Sequence, residues 1–172
     1  MSTKSKAPIR PTALVTGAAA GIGLATVRQL VAKGCLVVMA DRDAGALSSA
    51  VADLDAASTL TIAIDVTSEG AAAEIERIVR GRFEPVSVLI NNAGIAPKHH
   101  GKPADVLEVS LEEWALVLEV NLTAPLRLCK QFLPSMIERG WGRIVNLSSL
   151  AGRTTAQVNG AAYMTSKAGI SA

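Results

Sequence analysis

Five short runs of aliphatic residues recur along the chain, separated by stretches with helical periodicity. The runs are Ala13–Thr16, Leu36–Ala40, Leu60–Ile64, Val86–Ile90 and Ile144–Leu147. Each is nearly continuous rather than alternating, the pattern of parallel strands covered on both faces. The intervening segments predict helices over Ile22–Lys33, Ala44–Ala56, Glu69–Arg82 and Ser110–Arg139. The first closes on Lys33 and Gly34, a cation followed by a C-terminal glycine. The last opens on Ser110-Leu-Glu-Glu113, a capping box, and closes at Arg139-Gly140. Pro125 is expected to interrupt it, because proline removes a backbone donor. Strand, helix, strand, helix in this order specifies an α/β fold, a doubly wound and mostly parallel sheet within three αβα layers.

Composition sets limits on what such a fold can do. With 49% hydrophobic and 19% charged residues in 172, the chain can bury a continuous core, which excludes an intrinsically disordered protein. Its longest apolar run, Cys35–Ala40, is far short of the roughly 20 residues of a membrane span. Lys4, Lys6 and Arg10 lie in an acid-free stretch of eleven residues, and without them 14 basic face 15 acidic residues. The net charge of +2 is therefore a tail effect, and no nucleic-acid-binding face is expected. The reading divides the chain into a disordered tail, 1–11, and a dinucleotide-binding domain, 12–172. No apolar stretch in residues 1–12 suggests a signal peptide, so a cytoplasmic protein is expected. Cys35 and Cys129 sit in apolar segments and read as buried thiols. His99 and His100 are adjacent, so their side chains point apart, and no metal site is expected. Trp114 and Leu118 share a helical face and read as core or subunit contact.

Thr16-Gly17-Ala-Ala-Ala-Gly21-Ile22-Gly23 joins the first strand to the first helix. Glycines there permit a tight turn and close approach of a ligand, and the helix start offers free N–H groups to a pyrophosphate. The arrangement is Rossmann-type, although the spacing departs from G-x-G-x-x-G, and no Gly-Lys-Ser/Thr follows to make a Walker loop. Asp41 stands at the end of the second run, 18 residues after Gly23. An acid there can accept from a ribose 2′-hydroxyl and repels a 2′-phosphate, which favours NAD over NADP. Arg42 is the counter-argument, since a guanidinium can bind that phosphate or stack on adenine. The alternative for Asp41 is a helix N-cap with no ligand.

Tyr163 and Lys167 are four residues apart, hence neighbours on one face if the segment is helical. A phenol is a poor acid or base near neutral pH until something stabilises its phenolate. Lowering such a group by about three units requires roughly 4 kcal/mol. A cation at ~4 Å in an effective dielectric of ~20 supplies about that much before desolvation is counted. An ordinary surface pair is the plainer reading of these two residues taken alone.

In order and placement, these segments resemble the short-chain dehydrogenase/reductase family from Ala13 to the end. Thr16–Gly23 looks like its T-G-x-x-x-G-x-G. Asp65-Val66 resembles the pair that contacts adenine, and Asn91-Asn92-Ala93-Gly94 is similar to its N-N-A-G, which steadies the sheet and lines the cofactor. Asn121 corresponds to the helix asparagine that holds a water in the proton relay. Ser149, in Asn146-Leu-Ser-Ser149-Leu-Ala-Gly152, matches the serine that hydrogen-bonds the reacting oxygen, ahead of its neighbour Ser148. Tyr163 and Lys167 match Y-x-x-x-K, one residue further from the serine than usual, a difference assigned to the loop around Arg153–Gly160.

The resemblance implies an NAD-dependent oxidoreductase acting on a secondary alcohol or ketone. Its catalytic residues would be Asn121, Ser149, Tyr163 and Lys167. The cofactor would be held by Gly17, Gly21, Ile22, Gly23, Asp41, Arg42, Asp65, Val66, Asn92, Ala93 and Gly94, with Tyr163 and Lys167 at the nicotinamide ribose. The alternatives are an NADPH-dependent carbonyl or 3-oxoacyl-thioester reductase, and a non-catalytic dinucleotide-binding module. A homodimer or homotetramer is expected by the same resemblance. Family members continue through two further strands, a Pro-Gly segment and a substrate lid, whereas this sequence stops at Ala172, nine residues after Tyr163. The implication is a sheet missing its last strands, a fifth strand left as an unprotected edge, and weak or absent turnover.

Overall fold

The computed structural model describes residues 10–154 and 159–172. Strands β1 (Thr12–Thr16), β2 (Leu36–Asp41), β3 (Thr59–Ala63), β4 (Val88–Asn91) and β5 (Arg143–Asn146) form one sheet in the order β3-β2-β1-β4-β5. Every pairing in it is parallel. Successive residues on a strand point to opposite faces. Leu14, Val38, Ala40, Ile62 and Leu89 therefore pack with Ile75 and Val79 of α3 (Ala71–Arg80) and with Leu128, Phe132 and Met136 of α5 (Ala124–Glu138). On the other face Val15, Val37, Met39 and Ile90 pack with Val27 of α1 (Gly21–Ala32) and Leu47 of α2 (Ala44–Val51). Two cores on one sheet are the three expected layers, and they explain why the strands read as unbroken apolar runs. Each fully buried side chain of this size contributes about 1.5–3 kcal/mol.

The register sets the working edge of the sheet. Thr16 pairs with Ala40, Val15 with Ile90, Asp41 with Ala63, and Asn91 with Asn146. Gly17, Asp41, Ile64, Asn92 and Leu147 consequently leave the strands along one rim. The chain runs outward from β1 through β2 to β3, then restarts on β1's other side with β4. That reversal opens a crevice at the carboxyl ends of β1 and β4, where such folds bind ligands.

The helices depart from expectation in three places, each for a local reason. The second helix ends at Val51 rather than Ala56, because the Asp55 carboxylate accepts from Ala57 N at 3.0 Å and makes a turn instead. The third starts at Ala71, since Gly70 before it has φ +76°, a left-handed conformation outside any helix. The long helix divides into α4 (Leu111–Leu118) and α5, joined by a π-helical turn over Glu119–Thr123. Pro125 follows closely on that turn, so the expected interruption is a π turn within a continuous helical run and not a break. A final helix, α6 (Ala161–Ser171), packs against α4 and the π turn.

Arg10 and Pro11 belong to the folded body, although the sequence reading leaves them in the tail. The Arg10 guanidinium donates to Gly34 O at 3.2 Å and Ser58 Oγ at 3.0 Å, and Pro11 O accepts from Leu36 N. Residues 1–9 of the expected tail lie outside the described residues. At the opposite end of the sheet, β5 has one strand neighbour among the described residues and exposes Arg143, Val145 and Asn146.

Candidate active site

The loop after β1 is held by a clamp of polar contacts. Thr16 Oγ1 accepts from the N–H groups of Asn92 and Ala93, each at 3.1 Å. The Asn92 amide donates to Thr16 O at 2.8 Å and Gly17 O at 3.0 Å. Gly17 turns with φ +63°, and a Cβ on Gly23 would sit 2.0 Å from Gly17 O. Only glycine lets α1 begin this close to the strand. No side chain caps α1, so the N–H groups of Gly21, Ile22 and Gly23 are the orphan donors of a helix N-terminus, beside a loop crowded at Gly17 and Gly23. That combination fits the pyrophosphate of a dinucleotide.

Asp41 is not a helix cap. Asp43 caps α2, accepting from Ala46 N at 2.9 Å, while Asp41 accepts from Ala19 N at 3.0 Å and Asp43 N at 3.1 Å. Its carboxylate is thereby tied to the glycine loop. Gly17, Asp41, Arg42, Asp65, Val66, Ala93 and Gly94 line one cleft of about 170 Å³, with Ile95 and Val120 on its wall. The N–H and hydroxyl of Thr67 hold the Asp65 carboxyl below its ordinary range, and the Arg42 charge adds a smaller pull in the same direction. An acid at the end of β2 beside a half-apolar cleft fits a ribose diol with an adenine.

The four expected catalytic side chains come from three places. Asn121 lies in the π turn and is 1% exposed. Its carboxamide accepts from Ile95 N at 2.8 Å and donates to Ile95 O at 2.9 Å, locking the turn to the loop after β4. Ser149 caps a short 3₁₀ turn, Leu150–Gly152, its Oγ accepting from Ala151 N at 3.1 Å. Among the described residues that hydroxyl proton has no protein acceptor. Ser148 differs, because its hydroxyl donates to Lys167 O at 2.9 Å and faces α6.

Tyr163 and Lys167 lie one turn apart on α6, the Lys167 ammonium 5.8 Å from the centre of the phenol ring. Lys167 is 5% exposed and donates to Leu147 O at 2.6 Å. Burial pushes its pKa down. A Cβ on Gly94 would lie 3.3 Å from Asn121 Oδ1 and 3.5 Å from Lys167 Nζ, so the cleft wall adjoins both. His99 and His100 stand apart on an exposed hairpin, where the His99 ring meets Glu113 and the His99 backbone bridges to that of Lys102.

Sequence reasoning missed three contributors. Thr16 holds the loop through its hydroxyl, the Leu147 carbonyl receives the lysine, and Ser166, buried inside the Y-x-x-x-K interval, bonds to Asn121. Thr16 opens the glycine motif and was findable there. The other two depend on long-range packing.

An all-parallel sheet with a glycine loop at its switch point, an acid ending β2 and a Tyr–Lys turn with a buried lysine beside the cleft defines a dinucleotide-binding α/β domain. The chain belongs to the short chain dehydrogenase family, whose sequence profile matches residues 11–172. It is 39% identical over 163 residues to galactitol 2-dehydrogenase (L-tagatose-forming) of Cereibacter sphaeroides, covering 92% of this chain and 60% of that enzyme. Identity to the 2-dehydro-3-deoxy-L-rhamnonate dehydrogenase (NAD(+)) of Sphingomonas sp. is 34% over 158 residues, covering 92% and 61%. A crystal structure of a 3-oxoacyl-(acyl-carrier protein) reductase with bound NAD from Brucella melitensis matches with a TM-score of 0.84 at 30% identity, over 99% of this chain and 68% of that one. The chain spans about 60% of the length of these two curated relatives.

Proposed function

We propose that the protein is an NAD-dependent oxidoreductase that interconverts a secondary alcohol and its ketone, with Tyr163 moving the proton. The observation that carries this reading is the buried Lys167 ammonium, which lies against the phenol ring and adjoins Gly94 of the cleft. NAD supplies the hydride acceptor at its nicotinamide ring. The α1 N-terminus would hold the pyrophosphate, Asp41 the adenine ribose, and Asp65 and Val66 the adenine. Ser149, whose proton has no acceptor among the described residues, would orient the substrate oxygen. Tyr163 as phenolate would take the hydroxyl proton during oxidation and return it during reduction, with Lys167 stabilising the phenolate charge. Asn121 would keep the lysine's surroundings in place through Ile95.

Arg42 lines the same cleft and supports a second reading, an NADPH-dependent carbonyl or 3-oxoacyl-thioester reductase; the 3-oxoacyl reductase neighbour matches its substrate class but holds NAD. A dimer or tetramer in the cytoplasm completes the proposal. The exposed Leu126, Leu133 and Ile137 on α5 offer a subunit contact, and no helix among the described residues is long and apolar enough to cross a membrane. The test combines NADH titration with an alcohol panel followed by NADH absorbance. Tyr163→Phe is expected to keep cofactor affinity and lose turnover. A Tyr163→Phe protein turning over at the wild-type rate, or a wild type binding neither dinucleotide, would overturn the reading.

A further inference from the structure

Ser166 has no exposed surface, and its hydroxyl is engaged twice. It accepts from Asn121 Nδ2 at 3.0 Å and donates to Tyr163 O at 2.7 Å. A serine bonding back to its own helix is commonplace. The second bond is not, since it reaches 45 residues back to the π turn. Asn121 is itself fastened to both backbone groups of Ile95. One unbroken chain of hydrogen bonds therefore runs from the cleft wall, through Asn121 and Ser166, to the backbone of the tyrosine. We infer that Ser166 is a positioning residue, tying the turn of α6 that carries Tyr163 and Lys167 to the π turn and the cleft.

This inference rests on the Tyr–Lys reading proposed above. Removing the hydroxyl leaves a buried Asn121 proton without an acceptor. The turn of α6, which carries Tyr163 and Lys167 together, then loses its only described hydrogen bond to Asn121 and moves as a unit against the π turn and the cleft. Such a move misplaces the phenol relative to bound cofactor and substrate, so it is read in kcat rather than in NADH affinity.

Wild type, Ser166→Ala, Ser166→Thr and Tyr163→Phe are compared by alcohol turnover and NADH titration, with circular dichroism monitoring the fold. Ser166→Ala is expected to lose kcat roughly tenfold with KM and NADH affinity near wild type, a smaller loss than in Tyr163→Phe. Ser166→Thr, which restores the hydroxyl, is expected to recover it. A Ser166→Ala kcat equal to wild type, while Tyr163→Phe is inactive, overturns the positioning role. A Tyr163→Phe protein at the wild-type rate instead overturns the Tyr–Lys reading itself. If Ser166→Ala does not fold, Ser166→Cys, close in volume and a poor hydrogen-bond partner, replaces it. Failure of both to fold, or of threonine to restore turnover, assigns Ser166 to folding alone and overturns the inference.

Discussion

Replacing Gly23 by alanine places one methyl group where the glycine loop has no room. The new Cβ would meet Gly17 O at 2.0 Å and Asn92 Nδ2 at 2.6 Å. An ordinary contact begins near 3.4 Å, so the loop and α1 must separate by about 1.4 Å. Neither neighbour yields easily, since the Asn92 amide is bonded to both Thr16 O and Gly17 O. Losing those two bonds costs about 1 kcal/mol each. Overpacking adds roughly 1–3 kcal/mol, and alanine's better helix propensity returns about 1 kcal/mol. The net destabilisation expected in urea denaturation is therefore about 2–4 kcal/mol. NADH affinity should fall at least roughly tenfold, because the displaced N–H groups are those facing the pyrophosphate. Gly34→Ala is the control. Its φ of +83° carries strain of about 1–2 kcal/mol but its Cβ meets nothing within 4 Å, so stability falls slightly and NADH affinity does not. A Gly23→Ala protein that denatures within ~0.5 kcal/mol of wild type and binds NADH normally would refute the reasoning.

Asp41→Ala should weaken NAD binding and raise the relative affinity for NADP, shifting the ratio roughly tenfold or more, the size of a hydrogen bond to a charged group; competitive titration of the two cofactors measures it. Lys167→Met should raise the melting temperature at neutral pH, because the folded state holds a desolvated ammonium whose pKa burial depresses. In the window between that depressed value and the ordinary lysine range the unfolded chain binds more protons, so wild-type stability rises with pH there and the variant's advantage shrinks. Burial raises the pKa of both the Cys35 and Cys129 thiols. Both should alkylate slowly at neutral pH in the native protein and rapidly in denaturant, as a thiol-counting assay would show.

The parallel sheet was legible because strands buried on both faces leave unbroken aliphatic runs, Leu14–Val15 and Val37–Met39 among them. The cofactor-facing residues were legible for a related reason. The register aligns Gly17, Asp41 and Asn92 at strand ends, and strand ends are visible where an apolar run stops. The π turn was not legible. Glu119–Thr123 has the composition of any helix, and what defines it is Asn121 reaching Ile95, 26 residues away. The end of α2 was missed because Asp55 acts through a side-chain turn that periodicity does not weigh. Ser166 was hidden for the same reason as the π turn, since its meaning comes from Asn121 rather than from its neighbours in the chain. Asp41 shows the opposite outcome. Its role as a cap was open until Asp43 took that place.

The central claim is that the buried ammonium of Lys167 makes the Tyr163 phenol the proton-carrying group of this fold. Turnover of Tyr163→Phe and Lys167→Met at saturating cofactor, compared with wild type, tests it directly. The account predicts that both folded variants lose kcat at least ~100-fold. Either variant turning over at the wild-type rate would contradict it.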